Sequence, residues 1–249
     1  MNINQLEADA IDILRRYEPM DGYHLAFSGG KDSICCETLC KLAGVKYRAV
    51  YAICTVESKE TIPFIKRFYP NTEFDRSGTS MFKLIAKKGL PIRQKRFCCE
   101  YLKEYSGKGK LVITGIRAGE SNARAKRIPL ELDNRKNMRG KAYLNPIINW
   151  TSDDVWEFIM KYRPPIPDIY TDCQTARGGC IGCPMSGHAR KELEDDPRYK
   201  NAYIKAIRKR KENGYFKQFK DEYDVYGWWV SGLSVKDYKG KQMQYKLNI

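Results

Sequence analysis

Three observations predict an α/β fold, a mainly parallel open sheet with helices on both faces and a helical C-terminal extension. Short apolar runs alternate with amphipathic helical periods over roughly the first half of the chain, the pattern of repeated βαβ units. Two polar, glycine-containing loops, SGGKDS and GIRAGES, each follow such a run directly. That is where an open parallel sheet binds its ligands. From Trp150 onward the short runs give way to longer helical periods and a polar, aromatic tail.

The elements follow in order. Leu6, Ala10, Ile13 and Leu14 share one helical face, so residues 5–17 read as a first helix. Residues 23–27 are a short apolar strand. After Gly29-Gly30, the residues Ile34, Cys35, Thr38, Leu39 and Leu42 recur at helical spacing, and Gly44 ends that helix. RAVYAIC, residues 48–54, is a second buried strand. Residues 59–68 form a helix through Ile62, Ile65 and Phe68, and residues 73–75 a short third strand. Residues 81–88 form another helix, broken by Gly89-Leu90-Pro91, and LVIT, residues 111–114, is a strand. Residues 152–162 make an amphipathic helix capped by Thr151 or Ser152, with Trp150 and Trp156 in the core. Pro164, Pro165 and Pro167 then impose an extended segment. Residues 198–214 are a basic helix, and residues 215–249 carry no decisive period. The segment from Arg124 to Lys141, whose only acids are Glu131 and Asp133, reads as a mobile basic loop.

Hydrophobic residues make up 42% of the 249, enough for a sizeable core and too many for a disordered chain. The formal charge of +15 points to an anionic partner, whether a nucleotide, a nucleic acid or another phosphorylated ligand, or else only keeps a basic protein apart from its neighbours. No apolar run approaches a membrane span, and the first residues carry acids where a secretory leader carries bases. The expectation is a cytoplasmic protein without membrane partners. In a reducing compartment its nine cysteines are core residues, redox groups or metal ligands.

SGGKDS has the chemistry of a phosphate cradle. Gly29 and Gly30 allow φ > 0 and close backbone approach to an anion. The helix that follows points its positive end there. Lys31 adds charge, Ser28 and Ser33 add hydroxyls, and Asp32 caps the helix or holds Mg²⁺. The spacing is not that of a Walker loop. In GIRAGESNAR, Gly115 permits close approach, Arg117 and Arg124 offer planar forks for phosphate or sulfate, and Glu120 orients Arg124.

Cys180 and Cys183 form a C-x-x-C turn with Gly182 and Pro184. Cys98 and Cys99 are adjacent, among Arg93, Lys95, Arg96 and Lys103. Two thiolates in a C-x-x-C turn grip one centre, whereas adjacent thiolates diverge and suit two irons of a cubane. The set therefore favours a [4Fe–4S] cluster over Zn²⁺. Cys36 and Cys40 read as core, with Cys35 and Cys54 among apolar neighbours. Cys173 is a spare thiol, read as a small buried residue ahead of a substitute nucleophile or a persulfide carrier. Tyr203, Tyr215 and Phe216, interleaved with basic residues, suit nucleic-acid stacking or simple helix docking. His24 reads as structural.

Strand, SGGKDS and helix together resemble the PP-loop ATP pyrophosphatases. The further runs GLPIRQKRFCCEYLKE, GIRAGESNAR, NPIINWTSDDVWEFI and IYTDCQTARGGCIGCP resemble one branch of them, the phosphoadenosine phosphosulfate reductase family, over most of residues 22–188. The resemblance implies an adenine nucleotide alpha hydrolase-like fold. ATP or an adenylylsulfate-type nucleotide would lie on Ser28, Gly29, Gly30, Lys31, Asp32 and Ser33, with Gly115, Arg117, Glu120 and Arg124 as the second contact. Lys31, Asp32 and Arg117 would act catalytically. It also implies that Cys98, Cys99, Cys180 and Cys183 ligate a [4Fe–4S] cluster, as in iron–sulfur adenylylsulfate reductases. On this basis residues 1–190 form a PP-loop domain with the cysteine cluster, and residues 191–249 an extension.

Sulfonucleotide reductases use a cysteine in a C-terminal Glu-Cys-Gly-Leu-His segment, whereas no cysteine follows Cys183 here. The leading expectation is therefore an enzyme of sulfur transfer or of adenylation of an acceptor, with a nucleic acid among the acceptors and a sulfur or electron donor protein as partner. Sulfite-releasing reduction of an adenylylsulfate is the alternative. A non-catalytic nucleotide and redox sensor is the third, opposed by the intact loop and arginines.

Overall fold

The computed structural model describes residues 2–138, 140–172 and 178–247. Its elements are α1 (Ile3–Arg16), β1 (Tyr23–Ala26), α2 (Lys31–Ala43), β2 (Tyr47–Ile53), α3 (Thr61–Phe68), β3 (Glu73–Arg76), α4 (Met81–Lys88), the single turn α5 (Phe97–Cys99), β4 (Leu111–Ile113), β5 (Leu130–Leu132), β6 (Ala142–Leu144), α6 (Ser152–Tyr162), α7 (Ile169–Asp172), α8 (Ala189–Asp195), α9 (Pro197–Glu212), α10 (Glu222–Ser231) and α11 (Val235–Leu247). Cys173 lies outside the described residues. No described helix is long and apolar enough to cross a membrane.

The chain forms two compact units. One comprises Met1–Ile53, Lys59–Arg76 and Glu104–Gly178. The other comprises Cys54–Ser58, Ser77–Lys103 and Gly179–Ile249. Both are interleaved along the chain, whereas the sequence division is a single cut after residue 190. The C-x-x-C turn and the C-terminal helices share the second unit.

The first unit holds one six-stranded sheet in the order β3-β2-β1-β4-β6-β5. Every pairing is parallel except β5 with β6. The chain runs outward from β1 through β2 to β3, then restarts on the other side of β1 with β4. The strand order therefore reverses between β1 and β4, the crevice where open α/β sheets place ligands. Apolar faces bury Leu6, Ala10 and Leu14 of α1, Ile34, Leu39 and Cys40 of α2, Ile65 of α3, and Val155, Phe158 and Ile159 of α6. Helix α6 opens with a reciprocal cap: Asp154 N–H donates to Thr151 Oγ1 at 3.1 Å and Thr151 N–H to Asp154 Oδ2 at 2.7 Å. The mobile-loop reading of residues 124–141 is corrected. Leu130–Leu132 adds an antiparallel edge strand to β6, and Arg135 pairs with Asp133 at 2.6 Å, so local ion pairs absorb part of the charge.

Beside β1 lies a buried polar layer. Ser106 Oγ donates to Asp75 Oδ2 at 2.8 Å and lies 3.3 Å from His24 Nε2. Lys141 Nζ donates to the Glu104 and Ser106 carbonyls at 2.7 and 2.6 Å. Burial, reinforced by the Lys141 charge, pushes His24 down to about 4 from its ordinary 6.5. The fold thus holds a neutral ring, and the unfolded chain takes up the proton first. This contribution is complete above pH 6.5 and is lost as pH falls toward 4. The melting temperature is expected to drop across that window, with a flatter profile in His24→Asn; identical profiles for the two proteins would refute the assignment.

The second unit has its own core of α4, α9 and α10 residues. Tyr203 stacks on Trp229 with ring centroids 4.8 Å apart and meets Phe82 edge-on at 5.4 Å. Trp229 Nε1 donates to the Pro91 carbonyl at 2.8 Å. Within the tail that carries no decisive period, α10 and α11 are helices. Its aromatic residues Phe219, Tyr226 and Trp229 are buried.

Candidate functional site

In the first unit, β1 and β4 lie side by side with Leu25 opposite Ile113, and their carboxyl ends deliver SGGKDS and GIRAGES together. Gly29 adopts φ +72°. Gly30, extended at φ −87° and ψ 159°, is the N-cap of α2 and makes no side-chain cap. The expectation that Asp32 caps the helix is corrected, because the helix starts one residue before it. Asp32 instead accepts from Lys31 Nζ at 2.8 Å and from Arg117 Nε at 2.8 Å. The serines tie the loop into a closed turn: Ser33 Oγ donates to the Gly30 carbonyl at 2.8 Å and accepts from Ser28 N–H at 3.2 Å. Ser28 Oγ accepts from Gly30 N–H at 3.3 Å.

Arg117 is 7% exposed. Among the described residues, no acceptor is recorded for its Nη groups. Its backbone N–H donates to Glu120 Oε2 at 2.9 Å, and the same carboxylate oxygen pairs with Arg124 Nη1. Glu120 therefore sets the loop and orients Arg124, as the sequence predicts. A Cβ built on Gly115 would lie 2.8 Å from the Asp32 backbone carbonyl. The close approach foreseen at Gly115 is thus toward α2. Gly115→Ala must push β4's loop off the α2 N-terminus and is expected to cost about 1–3 kcal/mol of stability. A melting temperature unchanged within a degree would refute this.

One neighbour of this cradle is absent from the sequence reading. Tyr170, on α7, accepts from Lys31 N–H through its hydroxyl at 3.3 Å and stands 3.2 Å from where a Gly30 Cβ would be. It also stacks edge-on against Trp156 at 5.7 Å. No local period announces a tyrosine 139 residues away in the chain.

The two cysteine pairs lie in the second unit. Cys98 and Cys99 sit on the single turn α5, and Cys183 N–H donates to the Cys180 carbonyl at 3.2 Å across the C-x-x-C turn. Gly182 takes φ +71° there, a conformation open to glycine without penalty. Cys54, which the sequence places among apolar strand residues, lies just past β2 with its sulfur 3.2 Å from Cys180 Sγ. Its position at a strand's carboxyl end, like that of SGGKDS, is the one signal that marks it. The backbone N–H of Cys54 donates to the buried Glu57 carboxylate. The hydrogen-bonding contact between the Cys54 and Cys180 sulfurs, helped by Lys103, holds the Cys180 thiol below its ordinary range against the effect of burial, while the same contact and burial move Cys54 up. Cys99 moves down through its contact with the neighbouring Cys98 thiol, with Lys103 and Arg96 adding to the effect. By contrast Cys35, Cys36 and Cys40 are fully buried on α2, and burial raises all three, as expected for core.

Among the described residues no three Cys, His, Asp or Glu side chains are arranged to hold a metal ion. The donor chemistry nevertheless fits a thiophilic centre: sulfur ligands, flanking cations at Lys103 and Arg96, and an apolar wall that includes Phe97 and Leu102.

A family model for the phosphoadenosine phosphosulfate reductase domain matches residues 22–186. An uncharacterized protein of Methanocaldococcus jannaschii is 29% identical over 203 residues, which cover 75% of this chain and 48% of that protein. The chain thus spans about half the length of this relative. The crystal structure of a phosphoadenylyl-sulfate reductase from Candida auris, as a phosphate complex, superposes with a TM-score of 0.50 at 15% identity over 72% of this chain and 93% of that one. The FMN adenylyltransferase of Candida glabrata, in complex with FAD and inorganic pyrophosphate, superposes with a TM-score of 0.51 at 14% identity over 78% of this chain and 75% of that one. At these identities the two structures speak for the fold, and the match over residues 22–186 places the chain in the phosphoadenosine phosphosulfate reductase domain family of the PP-loop superfamily.

Proposed function

We propose that this chain is a nucleotide-dependent enzyme that binds ATP or an adenylylated sulfur compound on Ser28–Ser33 and acts in sulfur transfer or in adenylation of an acceptor. One observation carries the reading. The N-terminus of α2, which has no side-chain cap, faces the end of the neighbouring strand β4, and the buried Arg117 from the loop after that strand reaches Asp32 at 2.8 Å. A helix N-terminus, a lysine and a planar fork on one crevice are a phosphate site.

In this reading the α2 N–H groups and Lys31 hold the phosphates. Arg117 meets the charge that develops at the reacting phosphorus or sulfur, and Glu120 keeps Arg117 and Arg124 in position. Asp32 is the carboxylate that would hold Mg²⁺. Cys98, Cys99, Cys180 and Cys183 would hold a [4Fe–4S] cluster, with Zn²⁺ as the alternative occupant, and such a centre supplies electron or sulfur transfer or fixes the surrounding loops. The +15 charge suits a polyanionic acceptor such as a nucleic acid, served by a sulfur or electron donor protein. Family membership favours a second reading, reduction of an adenylylsulfate with release of sulfite.

Anaerobically purified protein incubated with ATP or adenylylsulfate tests both. Pyrophosphate release supports the first reading and sulfite release the second. Failure of wild-type protein to bind either nucleotide would overturn both.

A further inference from the structure

Among the described residues of the second unit, the quartet leaves one thiol unexplained. Cys54 is 2% exposed, and its sulfur stands 3.2 Å from Cys180 Sγ. The two loops that carry these sulfurs are joined along their backbones. Glu57 and Cys180 pair as an antiparallel bridge, and Ile181 N–H donates to the Val56 carbonyl at 2.7 Å. From α9, the Tyr199 hydroxyl donates to the Glu57 carbonyl at 2.8 Å and the Tyr203 hydroxyl to the Ile181 carbonyl at 3.1 Å.

Cys54 is also pinned within its own loop. The Glu57 carboxylate accepts from the N–H groups of both Cys54 and Thr55. Thr55 stands at φ +68°, a left-handed conformation that β-branched residues avoid. Its hydroxyl accepts from Met81 N–H at 3.0 Å. A strained residue of this kind persists where its surroundings over-determine it. The sulfur pair is therefore held by a built frame.

We propose that Cys54 and Cys180 are a redox-active dithiol that closes to a disulfide by exchange with a small-molecule disulfide. Cys180, the more exposed of the two, meets the oxidant. Its sulfur attacks one sulfur of the disulfide RSSR, forming a Cys180–SR bond and releasing RS⁻, which takes up the Cys180 proton. The Cys54 sulfur then attacks Cys180, forms the internal S–S bond, and expels the second RS⁻ with the Cys54 proton. Two protein thiols and RSSR become one protein disulfide and two RSH, so the protein is oxidised by two electrons and RSSR is reduced by two. Reaching bonding distance requires the sulfurs to close by about 1 Å. Where Cys180 serves a metal centre, which rests on the proposal above, the disulfide and the centre exclude one another.

The test uses metal-free protein treated with oxidised glutathione. Residual thiols are alkylated under denaturing conditions, and the digest is read by mass spectrometry. The expected product is a peptide pair joined through Cys54 and Cys180. Cys54→Ser gives no such pair and instead retains glutathione on Cys180. Joining of Cys180 to Cys183, or of Cys98 to Cys99, with Cys54 left fully alkylated, would overturn the proposal. Iron reconstitution separates the two readings. Oxidised protein is expected to take up no iron until a dithiol reduces it. If the linked peptide forms and the reduced protein still takes up no iron, the metal centre is wrong and the dithiol stands.

Discussion

Arg117→Ala is expected to lower the affinity for ATP about a hundredfold in titration calorimetry. The guanidinium is buried, with Nε fixed on Asp32 and, among the described residues, no acceptor recorded for its Nη groups. Two charge-assisted hydrogen bonds to a phosphate are worth roughly 3 kcal/mol together, and 1.4 kcal/mol is a factor of ten. Removing the side chain also leaves Asp32 with Lys31 as its remaining cation. Lys31 is then drawn toward the carboxylate and away from a phosphate, which adds to the loss. Arg117→Lys keeps the charge and loses the fork, so it is expected to fall between wild type and alanine. Glu120→Gln, which touches no ligand in this scheme, leaves both arginines less firmly placed and is expected to cost several-fold. An Arg117→Ala affinity within threefold of wild type would remove Arg117 from the site.

Much of this cradle was legible because its rules are local. Gly29, Gly30 and Lys31 follow a short buried strand, and the helix behind them carries Ile34, Cys35 and Leu39 at helical spacing and is buried on most sides. The fork at Arg117 follows a second strand in the same way. Adjacency of the two loops came from the βαβ alternation, which implies a parallel sheet with its ligand at the strand ends. Details that depend on a single residue of register were not legible. Asp32 lies one position inside α2, so it pairs with cations where a cap was expected. β5 and β6 were missed because three-residue strands within a basic segment carry no alternation long enough to count. Tyr170 and Cys54 were missed for a different reason. Each touches a partner more than a hundred residues away, and no spacing rule connects such pairs.

The cysteines offer the sharpest division between packing and chemistry. Serine replacement of Cys98, Cys99, Cys180 or Cys183 is expected to reduce bound iron in anaerobically purified protein to background. A serine hydroxyl is a poor ligand for a thiophilic ion. Losing a direct ligand is expected to lower affinity by more than about a hundredfold, beyond the ten- to hundredfold typical of outer-shell changes. Cys36→Ser and Cys40→Ser are the matched controls. Both thiols are fully buried on α2 in the other unit, so each change places a hydroxyl in an apolar environment and lowers stability without touching the iron. The same metal analysis separates iron from zinc. Zinc bound in place of iron, and lost in the same four variants, keeps the ligands and replaces the cluster. If all four variants retain wild-type metal, the quartet is not a metal site. The cations at Lys103 and Arg96 then favour reactive thiolates at Cys99 and Cys180 instead.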